Sequence, residues 1–389
     1  MTDITPNGIT PLPPEKKDIE FTSDSWRPIR ESRNVKEGTN EFNQAIEGIS
    51  LNQEAWRRLK KNKMAIGGLY VIIFYALICL SAPILPIHSY KKIILDHQYL
   101  PPSLTKTAGD LVYEKKEFRL KRIAQKQGRN FLNDAEKTQL AELRRTIETE
   151  TMVIDGKTIK TYERQYFLGT DYHGRDMLSR IIYGGQVSIA IGLVGTFTSV
   201  LIGIIIGSIS GFLGGKIDYF VMRFVDIMYG LPYILIVIIF MALFGQHILN
   251  LFFAIALVSW LNVARVVRGQ VISLKNSDFV EAARSIGASS RRIIFKHMVP
   301  NTFGIIIVFA SLEIPHFIMI EAFLSFLGLG ISAPFASWGS LVGDAVEGMA
   351  LYPWRLFFPS LAMVIFLFSM NFLGDGLRDA LDPKSKNRL

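Results

Sequence analysis

Residues Glu281–Asn301, EAARSIGASSRRIIFKHMVPN, form a polar and basic segment between two long apolar stretches. The pattern predicts a first short helix that Asp278 caps. In this prediction Glu281 stands at the third helical position and reaches back, as in a variant of the capping box. Gly287 ends or bends this helix, because glycine readily adopts the left-handed conformation found at helix ends.

A second short helix is predicted after Gly287. Ser289 or Ser290 can cap it, because a serine hydroxyl accepts hydrogen bonds from the free N–H groups of a first turn. Pro300 is expected to stop it. Two short helices at an angle would expose a knob of small residues ringed by charge. Such a knob suits a groove in a soluble partner, and an ordinary basic loop facing anionic lipid is the alternative.

The apolar residues of the chain are gathered into blocks. Of the 389 residues, 49% are hydrophobic and 20% are charged. Several charge-free runs exceed the ~18 residues that indicate a membrane helix. The net charge of +9 is interpreted as a sign of orientation and of contact with membrane lipid. No nucleic-acid partner is expected, since no basic stripe interleaved with aromatic residues occurs.

The order of these blocks predicts an all-α integral membrane protein with six transmembrane helices. The helices are expected at about 64–86, 185–213, 224–244, 248–264, 302–327 and 355–374. The polar segments are interpreted as a disordered tail (1–50), a basic amphipathic surface helix (51–63), an insertion (87–180), the loop that contains Glu281 (265–301) and a charged tail (375–389). Gly203, Gly207 and Gly211 fall four residues apart, which predicts close packing against another helix.

The insertion between the first two spans is predicted to be a small ordered subdomain. Residues 114–150 are rich in Lys, Glu, Arg, Gln and Leu and indicate two charged helices, with a break at Gly128 and Asn130. Asp155-Gly156 between alternating residues predicts a β-hairpin. A surface docking module is one interpretation of the role of this insertion.

Lysine and arginine in the short loops predict the orientation, because they are enriched on the cytoplasmic side. The side of the N-terminus also holds Lys216, Arg223, seven basic residues of the loop 265–301 and four of the C-terminal tail. The short loops on the opposite side hold none. Both termini and the loop 265–301 are therefore predicted to be cytoplasmic, and the insertion 87–180 extracytoplasmic.

The chain carries no pattern expected of an enzyme. Its six histidines are scattered, and none pairs at the spacing of a metal site. Gly156-Lys157-Thr158 resembles the end of a phosphate-binding loop, but Thr151 stands where the first glycine is required. We therefore expect no catalytic residue, metal or cofactor in this chain, and no ATP hydrolysis by it.

Several separate motifs resemble ABC importer permeases. Glu281, Ala282, Ala283, Gly287 and Val299-Pro300 lie at the spacing of their EAA loop, and the resemblance implies that these residues couple the chain to ATPases. Other stretches resemble the peptide and nickel branch: LGTD (168–171), EAFLSFLGLG (321–330), WG (338–339) and NFLGDGLRDALDP (371–383). Within this branch, Pro315 before Glu321 favours the oligopeptide C-type subunit.

The resemblance implies the type I ABC importer permease fold, with residues 185–379 as the transport module. It implies a non-enzymatic permease subunit for oligopeptides in a bacterial inner (plasma) membrane. The implied partners are a homologous B-type permease, two cytoplasmic ATPases that hold ATP and magnesium, and an extracytoplasmic peptide-binding protein. Residues 1–50 and most of 88–167 lie outside the resemblance.

Two carboxylates fall inside the predicted fifth span. Glu321 matches the branch, whereas Glu313, nearer the middle of the span, does not. A carboxylate in a membrane is costly and often functional, so each is a candidate for the translocation path. The structural alternatives are a hydrogen-bonded lock to another helix for Glu321 and a cavity-facing or protonated group for Glu313.

Alternatives for the function stay open at this point. The same machine could carry dipeptides, nickel or a peptide-like antibiotic. An alternative of another class is a secondary transporter driven by an ion gradient. That class predicts paired intramembrane charges and unwound half-helices at matched positions of two repeats, and the sequence shows no such repeats.

Overall fold

A computed structural model describes residues 51–154, 157–331 and 333–381 of the chain. The predicted tail 1–50, the hairpin residues Asp155-Gly156 and the end of the predicted tail 375–389 lie outside the described residues. The helices are α1 (Leu51–Lys61), α2 (Lys63–Ser81), α3 (Ala108–Lys126), α4 (Asp134–Thr149), α5 (Met177–Leu213), α6 (Gly215–Tyr229), α7 (Tyr233–Phe244), α8 (Ile248–Leu274), α9 (Asp278–Ser285), α10 (Ser290–Arg292), α11 (Val299–Phe326), α12 (Trp338–Val346) and α13 (Trp354–Leu381). A π-helical turn, Ile293–Met298, joins α10 to α11.

Five helical runs are long and apolar enough to cross a membrane, and the bent pair α6–α7 makes a sixth if it is one span. The five are α2, α5, α8, the continuous run Ser290–Phe326 and α13. The predicted all-α membrane fold is therefore confirmed, with five to six spans where six were predicted. The first of these helices ends at Ser81, two residues before Pro83, rather than at the predicted residue 86.

The third span is not the straight helix predicted at 224–244. Helices α6 and α7 meet at an angle of 79°, with Gly230, Leu231 and Pro232 between them. Pro232 has no N–H to continue the hydrogen-bond ladder of α6, and its ring clashes with the preceding turn. Hydrophobicity alone gave no sign of the break, because the apolar run continues through it.

Span two begins eight residues before the predicted residue 185. The Asp176 carboxylate caps α5 by accepting a hydrogen bond from the Ser179 N–H (3.1 Å). Arg180 lies within this helix and is buried because Asp171 lies 2.6 Å from its guanidinium. An arginine that looks like a polar flank in the sequence is thus a paired residue inside the helix.

Spans four and six continue beyond their predicted ends. Helix α8 runs to Leu274 rather than to residue 264, and α13 runs to Leu381 rather than to residue 374. The first part of the predicted loop 265–301 is therefore helix. The extension of α8 is stabilised across the fold, because Arg268 forms a two-point ion pair with Asp218 of α6 (2.5 Å for each contact).

Helices α5 and α8 approach each other closely at the predicted glycine face. A Cβ on Gly203 would lie 2.6 Å from the Val263 side chain, and one on Gly211 would lie 2.9 Å from the Arg268 carbonyl oxygen. Residues larger than glycine would force the two helices apart. This close contact fixes the position of α8, and with it the start of the polar loop.

The insertion is ordered and has the predicted parts. Helices α3 and α4 flank a break at Gly128 (φ 72°), and the antiparallel strands β1 (Thr151–Ile154) and β2 (Lys157–Lys160) form the hairpin. Its buried cluster contains Leu100, Tyr162 and Tyr166. The Tyr99 ring stacks on Tyr352 at 4.1 Å between ring centroids, so the insertion rests on the connection before α13.

Candidate functional site

The N-cap residue of α9 lies one position earlier in the chain than predicted. Its N-cap residue is Ser277, and Asp278 is the first helical residue, so the expected capping box of Asp278 with Glu281 is wrong. The Ser277 hydroxyl donates to the Leu274 carbonyl (2.7 Å) and therefore points back to the end of α8. The Glu281 side chain is left exposed on the outer face of α9.

Gly287 ends α9 in the manner predicted. It has a φ of 78°, a conformation that favours glycine. Its N–H donates to the Arg284 carbonyl (2.9 Å), and the Ala288 N–H donates to the Ala283 carbonyl (3.0 Å). These two bonds form the Schellman motif, which satisfies the last carbonyls of a helix.

The two faces of α9 have different surroundings. Val280 and Ala283 are buried in a cluster of apolar residues from α5, α8, the π-helical turn and α11. Ala282 and Glu281 are exposed, and Ile286 is 84% exposed at the tip. Ala283 is therefore an anchor beneath the surface, and the outward face of the knob consists of its exposed neighbours.

The second helix of the predicted knob does not stop at Pro300. Ser289 caps α10 by accepting a hydrogen bond from the Arg292 N–H (3.4 Å), as predicted. The chain then stays helical through the π-helical turn, where the Val299 N–H donates to the Ile294 carbonyl five residues back. A widened turn next to a proline accommodates its ring and its missing N–H, so Pro300 is exposed at the first turn of α11.

Charged contacts attach the knob to the spans. The guanidinium of Arg284 lies over the Phe212 ring at the end of α5 (5.5 Å), and the Lys275 ammonium lies 5.9 Å from the same ring. Nearby, Arg265 of α8 pairs with Asp226 of α6 (2.6 Å). Arg284 therefore attaches the knob to the end of α5, in addition to the buried apolar contacts of Val280 and Ala283.

Glu321 is fully buried and joins α11 to α12. Its Oε1 accepts hydrogen bonds from the hydroxyls of Ser325 (2.6 Å) and Ser337 (2.5 Å). Ser337 is the N-cap residue of α12. A Cβ on Gly339 would lie 2.9 Å from the other carboxylate oxygen, so α12 packs directly on this carboxylate.

Glu313 lies elsewhere, at a cavity of about 390 Å³ between the α6–α7 bend, α8 and α11. Its carboxylate contacts the Asn262 amide nitrogen (3.4 Å) and the His316 Nδ1 (3.3 Å). The structure thus separates the two predicted carboxylates. Asn262 and His316 were not among the residues predicted from the sequence, although the spacing of Glu313 and His316, three residues apart on one helix, could have indicated the pair.

Comparisons with known proteins identify the family. Residues 203–387 match the family described as binding-protein-dependent transport system inner membrane component. Residues 50–102 match the N-terminal TM domain of oligopeptide transport permease C. These two ranges include α1, α2 and the whole region of the knob and the cavity.

The similar proteins are permeases of peptide transport systems. The oligopeptide transport system permease protein OppC of Haemophilus influenzae is 50% identical over 226 residues, which are 58% of this chain and 73% of that protein. The dipeptide transport system permease protein DppC of Bacillus subtilis is 37% identical over 86% of this chain and 87% of that protein. The OppC protein of Escherichia coli K12 is 37% identical over 88% of this chain and 94% of that protein.

The similarity to these relatives contradicts the alternative of an ion-coupled secondary transporter. They support a multi-pass protein of the inner membrane, in agreement with the apolar helices. The chain belongs to the family of inner-membrane permease components of binding-protein-dependent transport systems.

Proposed function

We propose that this chain is the permease subunit of an ATP-driven importer of oligopeptides. The observation that carries the proposal is the knob of α9, whose exposed face includes Glu281, Ala282 and Ile286 while its buried face is anchored to the spans. An exposed isoleucine at the tip of a rigid, polar-rimmed loop suits a groove in a soluble partner. The relatives named for oligopeptide transport supply the cargo class.

In this proposal energy enters from two ATPase subunits that bind ATP and magnesium outside this chain. Closure of the ATPases displaces α9 through Glu281, Ala282, Ile286 and Gly287. Ala283 transmits the displacement to the buried cluster beneath, and Pro300 lies at the start of the helix that follows. The spans then change between inward-facing and outward-facing arrangements.

The remaining partners complete the path of the cargo. A homologous B-type permease pairs with this chain, and an extracytoplasmic binding protein delivers the peptide to the cavity between the two permeases. The excess of Lys and Arg around the knob supports a cytoplasmic location for it and for both termini. The basic helix α1 lies on anionic membrane lipid.

Dipeptides are the second candidate cargo, because DppC of Bacillus subtilis is as similar to this chain as OppC of Escherichia coli. Nickel and peptide-like antibiotics remain cargo alternatives. The fold itself is shared by relatives with different cargoes, so cargo must be measured.

The test is reconstitution of this chain with its co-purifying subunits and binding protein in proteoliposomes. We expect uptake of a labelled tripeptide that requires ATP and exceeds uptake of the matching dipeptide. Uptake that persists without ATP, or driven by a proton or sodium gradient alone, would overturn the proposal. Preference for the dipeptide would keep the proposed ATP-driven mechanism and change the proposed cargo to dipeptides.

A further inference from the structure

The cavity at the α6–α7 bend has the position and size of a binding site within the membrane. Glu313 lies near the middle of α11, and the cavity volume of about 390 Å³ falls within the ~300–1,000 Å³ of small-molecule sites. Irregular backbone inside a membrane protein is tolerated where it is buried or lines a cavity. The break of the third span at Leu231 and Pro232 lines this one.

The carboxylate in this cavity has weak partners. Glu313 is 13% exposed, and its contacts with Asn262 (3.4 Å) and His316 (3.3 Å) are long for hydrogen bonds. Within the described ranges, no lysine or arginine forms an ion pair with it. A charge in a membrane needs a partner. A cationic group that enters the cavity can therefore form an ion pair with Glu313.

Two hydroxyls in the cavity wall also lack partners. The Tyr233 and Ser259 oxygens are buried, and neither forms a hydrogen bond within the part of the chain that is described. Unsatisfied buried polar groups are rare in proteins and call for an explanation. The rest of the wall is mainly apolar, with Leu231 and Phe317 among its residues.

We propose that this cavity is a subsite for an ammonium group of the peptide in transit. An ammonium has three donors and no acceptor. The Glu313 carboxylate can accept one of them, and Tyr233 and Ser259, whose hydroxyls have no partner within the described residues, line the same cavity. Asn262 and His316 hold the carboxylate in the wall when no cargo is present. The proposal rests on the proposed transport function and extends it by naming the chemical group that this chain recognises.

Photo-crosslinking to the complete purified transporter in detergent tests the subsite directly. The probes are tripeptides with a photoreactive middle residue: one has a free N-terminus, one is N-acetylated, and one is N-acetylated with lysine at the first position. We expect half-maximal labelling of this chain at an about tenfold lower concentration for the free amine than for the acetylated probe. The lysine probe distinguishes the two sources: labelling like the free amine indicates any ammonium, and labelling like the acetylated probe indicates the N-terminus.

Variants assign the effect to one side chain. Glu313→Gln should abolish the difference between free and acetylated probes, whereas Glu313→Asp, which keeps the charge, should retain part of it. Glu142→Gln, on the exposed face of α4, is the matched control and should label as the wild type does. Equal labelling of the wild type by the free and the acetylated probe would overturn the subsite. This result is expected if a cation of the partner permease is already paired with Glu313.

ATP-dependent uptake of trialanine by the same wild-type preparation separates this result from the proposed function. Uptake without any Glu313-dependent labelling refutes the subsite alone. Absence of ATP-dependent uptake refutes the transport proposal on which the subsite rests.

Discussion

Replacing Gly287 with valine should uncouple transport without preventing membrane insertion. Gly287 has a φ of 78° and closes α9 through its own N–H and that of Ala288. The left-handed conformation costs an L-residue roughly 1–2 kcal/mol. Valine either bears this cost or opens the turn and loses both hydrogen bonds, so the population of the closed knob falls by roughly 5- to 30-fold relative to glycine. The spans bury far more surface and should still assemble.

Gly287→Asn is the matched control for this experiment. Asparagine is close to valine in size but tolerates the left-handed conformation. A Cβ at this position meets nothing within 4 Å, so neither variant clashes within the chain. We expect normal membrane yield for both, ATP-dependent peptide uptake reduced about fivefold or more for valine, and uptake mostly retained for asparagine. Equal loss in the two variants would refute the backbone argument and indicate a partner surface that admits no side chain.

Three further outcomes are expected. Glu321→Ala should lower the thermal unfolding midpoint in detergent more than Glu321→Gln. Alanine leaves the hydroxyls of buried Ser337 and half-buried Ser325 without this acceptor, at up to about 1–3 kcal/mol each, while the glutamine oxygen still accepts. Equal midpoints would contradict the lock between α11 and α12. Asp218→Arg should destabilise the protein by about 1–3 kcal/mol because it removes the two-point contact with Arg268. Adding Arg268→Asp, which exchanges the two residues, should recover part of the unfolding midpoint. No recovery would show that the loss has another cause. Burial lowers the pKa of His97 to about 3, so the folded insertion excludes a proton that the unfolded chain binds below about pH 6.5. The stabilisation is complete well above pH 6.5, and below that pH it falls by up to about 1.4 kcal/mol per unit as the pH drops towards 3. Hydrogen exchange around Leu100, corrected for its intrinsic pH dependence, should therefore speed up about fivefold from pH 6.5 to 5.5, and His97→Phe should weaken this dependence.

The structure could be predicted from the sequence wherever the interactions that determine it are between neighbouring residues. The Schellman turn at Gly287, the Ser289 cap and the hairpin around Asp155-Gly156 each depend on a few neighbouring residues, and the described parts of all three are as predicted. The apolar blocks similarly predicted the all-α membrane fold and five of the spans, because a membrane helix must be long and uncharged.

The errors have long-range causes. Helix α8 continues beyond Arg265 because Asp226 and Asp218, some forty to fifty residues earlier in the chain, neutralise its arginines. Similarly, Arg180 is helical and buried because of its ion pair with Asp171. In each case a charge taken as the end of a span is paired, and only the folded chain shows the partner.

The helical run does not stop at Pro300, contrary to the prediction, and of all the differences this one matters most for how the site works. Since the chain is helical from Ser290 to Phe326, the segment beneath the knob and the wall of the cavity belong to one continuous run. Val280 and Ala283 of α9 pack on the π-helical turn of this run, and Glu313 lies further along it. Helix α8, which forms the opposite wall, is in addition fixed to α6 by ion pairs. We therefore expect a displacement of α9 to move the Glu313 wall relative to the Asn262 wall, and the 3.4 Å contact between these two residues to break when α9 is displaced.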